Sequence, residues 1–103
     1  MKNLEKNLEY KFKLFVASNE PNSANAQKVV KEIHEKWLKN NSSLEIIDVF
    51  KDYQQAIDNK ILVVPTLCVD SLQGSYKIVG SLKNSISLAE KLGISIKDHD
   101  DEK

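Results

Sequence analysis

The stretch Ile61-Leu62-Val63-Val64-Pro65-Thr66 decides how this chain is read. Proline cannot donate a ladder hydrogen bond, and it pushes the residue before it into extended backbone. Val64 is therefore extended, and Pro65 marks the border of an element rather than its middle. Thr66-Leu67-Cys68-Val69 reads as a strand that begins directly after the proline. Ser71-Leu72-Gln73-Gly74-Ser75 carries turn residues, and Tyr76-Lys77-Ile78-Val79 reads as the returning antiparallel strand.

Working outward, Tyr10-Lys11-Phe12-Lys13-Leu14-Phe15-Val16-Ala17 alternates and then becomes wholly apolar, as a strand does when its far end is buried on both faces. Pro21 fits the first turn of a helix, with Asn19 or Glu20 as its cap. Ala26, Val29, Val30, Ile33 and Trp37 share one helical face. Opposite lie Lys28, Lys31, Glu32, Glu35, Lys36 and Lys39, a solvated face. Its pairs Glu32–Lys36 and Glu35–Lys39 each contribute about 0.2–0.5 kcal/mol. Asn40-Asn41-Ser42-Ser43 breaks the helix, and Leu44-Glu45-Ile46-Ile47-Asp48-Val49-Phe50 follows as a second strand. Strand, long helix and strand make a right-handed unit with parallel strands. Asp52 to Asp58 predicts a short helix with Tyr53, Ala56 and Ile57 facing inward. Leu82, Ile86, Ala89 and Leu92 outline a last helix, stopped by Gly93 in the left-handed region. The predicted order is β-α-β-α-β-β-α.

With 103 residues there is room for one domain and one modest core. Residues 1–8 predict a flexible lead-in, 9–95 the folded domain, and 96–103 an acidic disordered tail. Lys plus Arg and Asp plus Glu number 15 each, and no basic run with interleaved aromatics stands out, so nucleic acid is not an expected partner. The first residues lack the apolar core of a signal peptide, and no segment is long and apolar enough to span a bilayer. The single Cys68 leaves no internal disulfide and suits a reducing compartment, so the expected location is the cytoplasm. No glycine-rich phosphate loop is present among the three dispersed glycines, so nucleotide hydrolysis is not expected of this chain.

The element order and the proline before the third strand resemble a thioredoxin-like domain: α/β, with a mixed four-stranded sheet and helices on both faces. The resemblance implies a cis bond at Pro65. In that fold a C-x-x-C would stand at the first strand-to-helix turn, which here reads Ser18-Asn19-Glu20-Pro21-Asn22-Ser23, with asparagines at both cysteine positions. The resemblance thus implies a scaffold without its redox chemistry. A narrower match follows. Leu14-Phe15-Val16-Ala17 with Glu20-Pro21-Asn22-Ser23-Ala24 resembles the opening L-Y-V-A-G-N-T-P-N-S of the KaiB family, small clock proteins that bind the ATPase KaiC. Ile47-Asp48-Val49-Phe50-Lys51 resembles that family's I-D-V-L-K. Asn59-Lys60-Ile61-Leu62-Val63-Val64-Pro65-Thr66-Leu67 resembles its D-K-I-L-A-T-P-T-L, and Lys77-Ile78-Val79-Gly80-Ser81-Leu82 its K-I-I-G-D-L. The blocks keep the family's order across roughly residues 10–95.

The resemblance implies a partner, a KaiC-like ATPase of the RecA fold, and no catalysis or cofactor in this chain. Lys60 stands where the family's lysine contacts KaiC, and Ile61 and Pro65 shape that surface. Asn22 belongs to the implied binding surface as well. Glu45 stands where the family usually carries a basic residue used toward KaiA, so the charge is reversed. A homodimer or homotetramer is also implied. The family is known for a second, tetrameric arrangement of its latter half. Where its last helix has glycine, one residue and aspartate, this chain has Lys91-Leu92-Gly93, which favours the helix and hence the thioredoxin-like arrangement.

Other candidates have plainer readings. Pro65 is a landmark of the fold. Cys68 is a small hydrophobe on a buried strand with no basic neighbour in sequence. His34 is a packing or surface histidine, and His99 sits in a tail that is not preorganised for a metal. Asp48 and Asp52 lack a matching nucleophile for acid–base work. The alternatives to KaiC binding are a redox-dead thioredoxin-like adaptor, the sensor module of a histidine kinase, or a glutathione-dependent enzyme using Ser18 or Ser23.

Overall fold

The computed structural model describes residues 8–80 and 82–94. The lead-in and the tail expected from sequence lie almost wholly outside the described residues, as does Ser81 of the last family-like block. Strand β1 (Tyr10–Val16) leads to helix α1 (Pro21–Glu32), then to β2 (Ser42–Asp48), a short α2 (Tyr53–Asp58), β3 (Thr66–Ser71), β4 (Gly74–Val79) and α3 (Ser85–Leu92). The sheet order is β2-β1-β3-β4. β1 runs parallel to β2 and antiparallel to β3, and β3 pairs antiparallel with β4.

Phe12, Leu14 and Val16 of β1, with Leu67 and Val69 of β3, form one apolar face. Ala26, Val29, Val30 and Ile33 of α1 and Leu88, Ala89 and Leu92 of α3 close over it, so both long helices share that side. Helix α2 lies toward the opposite face, tied to the sheet where Lys13 Nζ donates to Gln55 Oε1 at 3.5 Å.

Three local readings shift. Helix α1 continues as a π turn at Ile33–Trp37, where the Leu38 N–H reaches the Ile33 carbonyl at 3.1 Å. The wider turn breaks the i,i+4 spacing, so Lys36 pairs with Glu32 at 3.3 Å but Lys39 does not pair with Glu35. Strand β2 starts at Ser42 rather than Leu44. Buried Ser42 donates its hydroxyl to the Leu38 carbonyl (2.8 Å), which obliges His34 Nδ1, 2.7 Å away, to donate to Ser42. A serine pair that looks like loop is thereby a strand start. Finally, α3 begins at Ser85, not Leu82, because the Asn84 side chain accepts the Ser87 N–H at 2.8 Å. Leu82 is buried ahead of the helix, and its carbonyl accepts from Asn25 Nδ2.

The turn between β1 and α1 is held from both sides. Glu20 is the cap that the structure selects, its Oε1 accepting the Ser23 N–H at 2.7 Å. Buried Ser23 Oγ in turn accepts the Ala17 N–H at 3.0 Å. Asp48, at the end of β2, accepts from the Ser18 hydroxyl (2.6 Å) and from the Phe50 N–H (2.8 Å). These bonds, the Ser18 hydroxyl first and the Phe50 amide second, hold the Asp48 carboxyl below its ordinary pKa.

Ser23→Ala leaves the Ala17 N–H unpaired in the interior, and urea denaturation is expected to report a loss of about 1–3 kcal/mol. Asp48→Asn keeps an acceptor but not the charge. Because the folded pKa is lowered, the stabilisation is present above the unfolded carboxylate range, about 4, and fades as pH falls through the folded value. The variant is expected to be less stable than the parent at neutral pH, with the two curves converging as pH falls through the lowered folded pKa of Asp48. Parallel curves that never converge would refute the charge argument.

Candidate partner-binding surface

On the face opposite the core the register lays side chains in rows. Glu45, Lys13, Cys68 and Lys77 run across β2, β1, β3 and β4; Ile47, Phe15, Thr66 and Val79 form the next row. Ile47, Phe15 and Thr66 are buried, whereas Val79 on the edge strand is 59 % exposed. The chain between β2 and β3 crosses this side, and α2 contributes no buried residue to it. Tyr53 and Ile57, expected to face inward, are exposed. The physical reason lies beneath the helix. The sheet there offers a lysine, which Gln55 meets, so Gln55 and Ala56 are the half-buried residues of α2 while Tyr53 and Ile57 turn outward.

Helix α2 ends in a Schellman arrangement. The Lys60 N–H donates to the Ile57 carbonyl (3.0 Å) and the Ile61 N–H to the Ala56 carbonyl (2.9 Å). The residue at the left-handed position is Lys60, with φ of 57°. Helix α3 ends in the same pattern, Gly93 to Glu90 and Ile94 to Ala89, but with glycine at φ 77°. Placing a lysine where glycine is at ease costs about 1–2 kcal/mol. That cost is accepted at one helix end and avoided at the other.

Beyond Lys60 the apolar run does not enter the core. Leu62 is 92 % exposed and Val63 is exposed, while Ile61 is half-buried and Pro65 buried. The Val64–Pro65 bond is cis. The Pro65 carbonyl accepts the Gly80 N–H at 2.9 Å, which ties the start of β3 to the end of β4. Lys60, Ile61, Leu62, Val63, Thr66, Lys77 and Val79 line a mainly apolar groove of about 340 Å³.

The structure thus gathers Lys60 and Ile61 at one groove, with Pro65 beneath its floor as a structural residue. It does not bring Glu45 there. Glu45 is exposed on β2 and lines a separate, more polar cavity of about 250 Å³ with Lys13, Asn59, Cys68 and Asp70. Asn22 is exposed near the start of α1, at the end of the sheet where β1 finishes and β3 begins. Missed from sequence were Leu62, Val63, Val79 and Lys77. Lys77 reaches α2, its Nζ donating to the Asn59 carbonyl at 2.7 Å.

Cys68 is only half-buried, and its basic neighbours arrive across strands: the register sets it beside Lys13 and Lys77. Burial pushes its thiol up more strongly than those lysines pull it down. Among the described residues no three His, Cys, Asp or Glu side chains cluster in a way that suits a metal ion. No described helix is long and apolar enough to cross a membrane.

Comparison with solved structures returns the same backbone. A thioredoxin from Halobacterium salinarum superposes with a TM-score of 0.69 at 19 % identity, covering 86 % of this chain and 76 % of that one. Chloroplastic thioredoxin z gives 0.73 at 15 %, covering 87 % and 80 %. At such identities the likeness concerns the fold alone. Sequence relatives are narrower. The circadian clock oscillator protein KaiB of Thermostichus vulcanus is 43 % identical over 75 residues, 73 % of this chain and 69 % of the relative. That of Trichodesmium erythraeum is 43 % identical over 75 residues, 73 % and 72 % of the two chains. The KaiB domain model matches residues 13–94, which contain the groove, both helix ends and every expected site residue, and the chain belongs to the KaiB family.

Proposed function

We propose that this chain is a non-catalytic regulatory protein that docks on a KaiC-like ATPase of the RecA fold through the groove beside Lys60. The observation that carries the reading is the exposed apolar lining of Leu62, Val63 and Val79 with Lys60 at its rim, on a member of a family of clock proteins. Apolar side chains left in water at one spot mark an interaction surface. A strained, exposed lysine beside them adds a cation where a partner's acidic group can be recognised. Docking that depends on the partner's nucleotide state biases that state by the difference in affinity, and needs no chemistry from this chain. The relatives' names support a clock role.

The test is size exclusion with light scattering against the KaiC-like ATPase of the same organism, in ATP and in ADP. A complex in one nucleotide and not the other is expected, and Lys60→Glu should abolish it. Lys60→Gly separates strain from recognition. It relieves the positive φ, so it is expected to raise stability by about 0.5–1 kcal/mol while weakening the complex. No complex under either nucleotide would leave a thioredoxin-like adaptor for another partner. A glycine variant that binds as well as the parent would remove the Lys60 side chain from the interface.

A further inference from the structure

Helix α2 is hard to account for on its own. It has only six residues, buries none of them, has no side chain capping its first backbone N–H groups, and carries no basic residue in its last turn. A helix that short does not persist in water without help. Its C-terminal carbonyls gain partners from outside. Asn59 terminates the helix, donating its N–H and its Nδ2 to the Gln55 carbonyl at 3.0 and 2.9 Å. The Asn59 carbonyl is then taken by Lys77 Nζ at 2.7 Å, from a strand 18 residues further along the chain. A cation at the C-terminal end of a helix also meets the negative end of its dipole. The second tie, Lys13 to Gln55, is the long 3.5 Å contact. Lys77 is therefore the stronger of the lysine ties that hold α2 to the sheet. The residue after Asn59 is Lys60, whose left-handed turn forms the groove's rim.

We infer that Lys77 is a positioning residue: from the edge strand it caps α2 and so fixes the Asn59–Lys60 turn in its binding geometry. This rests on the proposed docking role of the groove. Because α2 is marginal, the fraction of molecules with a formed turn is sensitive to the cap, and apparent affinity scales with that fraction. Lys77 also lines the groove, so direct contact with the partner is the competing explanation.

Amide exchange on the free protein separates the two, with Lys77→Met, which keeps length without a donor, and Lys77→Arg, which restores one. In Lys77→Met the Lys60 and Ile61 amides are expected to exchange about 2- to 5-fold faster. Affinity for the ATPase should fall in proportion to the lost fraction of formed turn, and Lys77→Arg should recover both. Unchanged exchange with weaker binding would mean direct contact and overturn the inference. Faster exchange with unaltered affinity would make the cap merely structural, which also overturns it. If the unmutated chain forms no complex at all, the proposed function fails and the positioning role with it. The exchange data, taken without partner, still show whether the cap exists.

Discussion

Both long helices pack on one face of the sheet, and the character of the other face follows from that constraint. The apolar content of α1 and α3 is spent on Phe12, Leu14, Val16, Leu67 and Val69. What remains for the opposite side is six residues of α2 and the loop after it. That side buries the row Ile47-Phe15-Thr66, but the short cover leaves the row Glu45-Lys13-Cys68-Lys77 polar and open. Hydrogen bonds from two lysines tie this cover to the sheet. Hydrophobic attachment is roughly proportional to area and tolerates small shifts, whereas a bond to one carbonyl fixes one geometry. A surface built this way is thinly supported yet defined in shape.

The fold was largely legible because its signals are local or periodic. Alternation in Tyr10–Val16, the apolar stripe of α1, the Pro65 break and Gly93 each act within a few residues of where they stand. The departures arise where a distant group overrides the local rule. Ser42 and Ser43 look like loop until Leu38 and His34 satisfy Ser42 and let the pairing with Tyr10 begin there. Trp37 keeps the spacing of a regular helix in sequence, yet the chain widens to a π turn before it, and no residue there announces the change.

The site was legible only where a motif pointed at it. Lys60 and Ile61 were identified through the resemblance, and the groove contains both. Leu62 and Val63 were hidden by their own chemistry. An apolar run normally signals burial, and only the proline closing it hints that the backbone cannot join the sheet interior. Lys77 and the lysine pair around Cys68 were invisible for a different reason. Cross-strand neighbours depend on register, and register between β1, β3 and β4 is set by tertiary pairing rather than by any short motif.

The groove combines features that are each unfavourable in an isolated molecule. Leu62 keeps almost all its surface in water, and Lys60 holds a backbone conformation better suited to glycine. The Lys60 strain is not forced by the helix end, since Gly93 ends α3 through the same hydrogen bonds without it. A glycine at position 60 would give a more relaxed turn, but it would supply no cation and would allow the rim other conformations. In the proposed docking, a partner would remove the apolar side chains from water and meet the lysine with an acceptor, offsetting costs that the free chain carries. Cys68, the chain's thiol, lines the neighbouring cavity, where burial pushes its pKa up. The costs at Leu62 and Lys60 are what the proposed recognition role explains, with the thioredoxin-like frame holding one short helix end and one exposed loop in register with an edge strand.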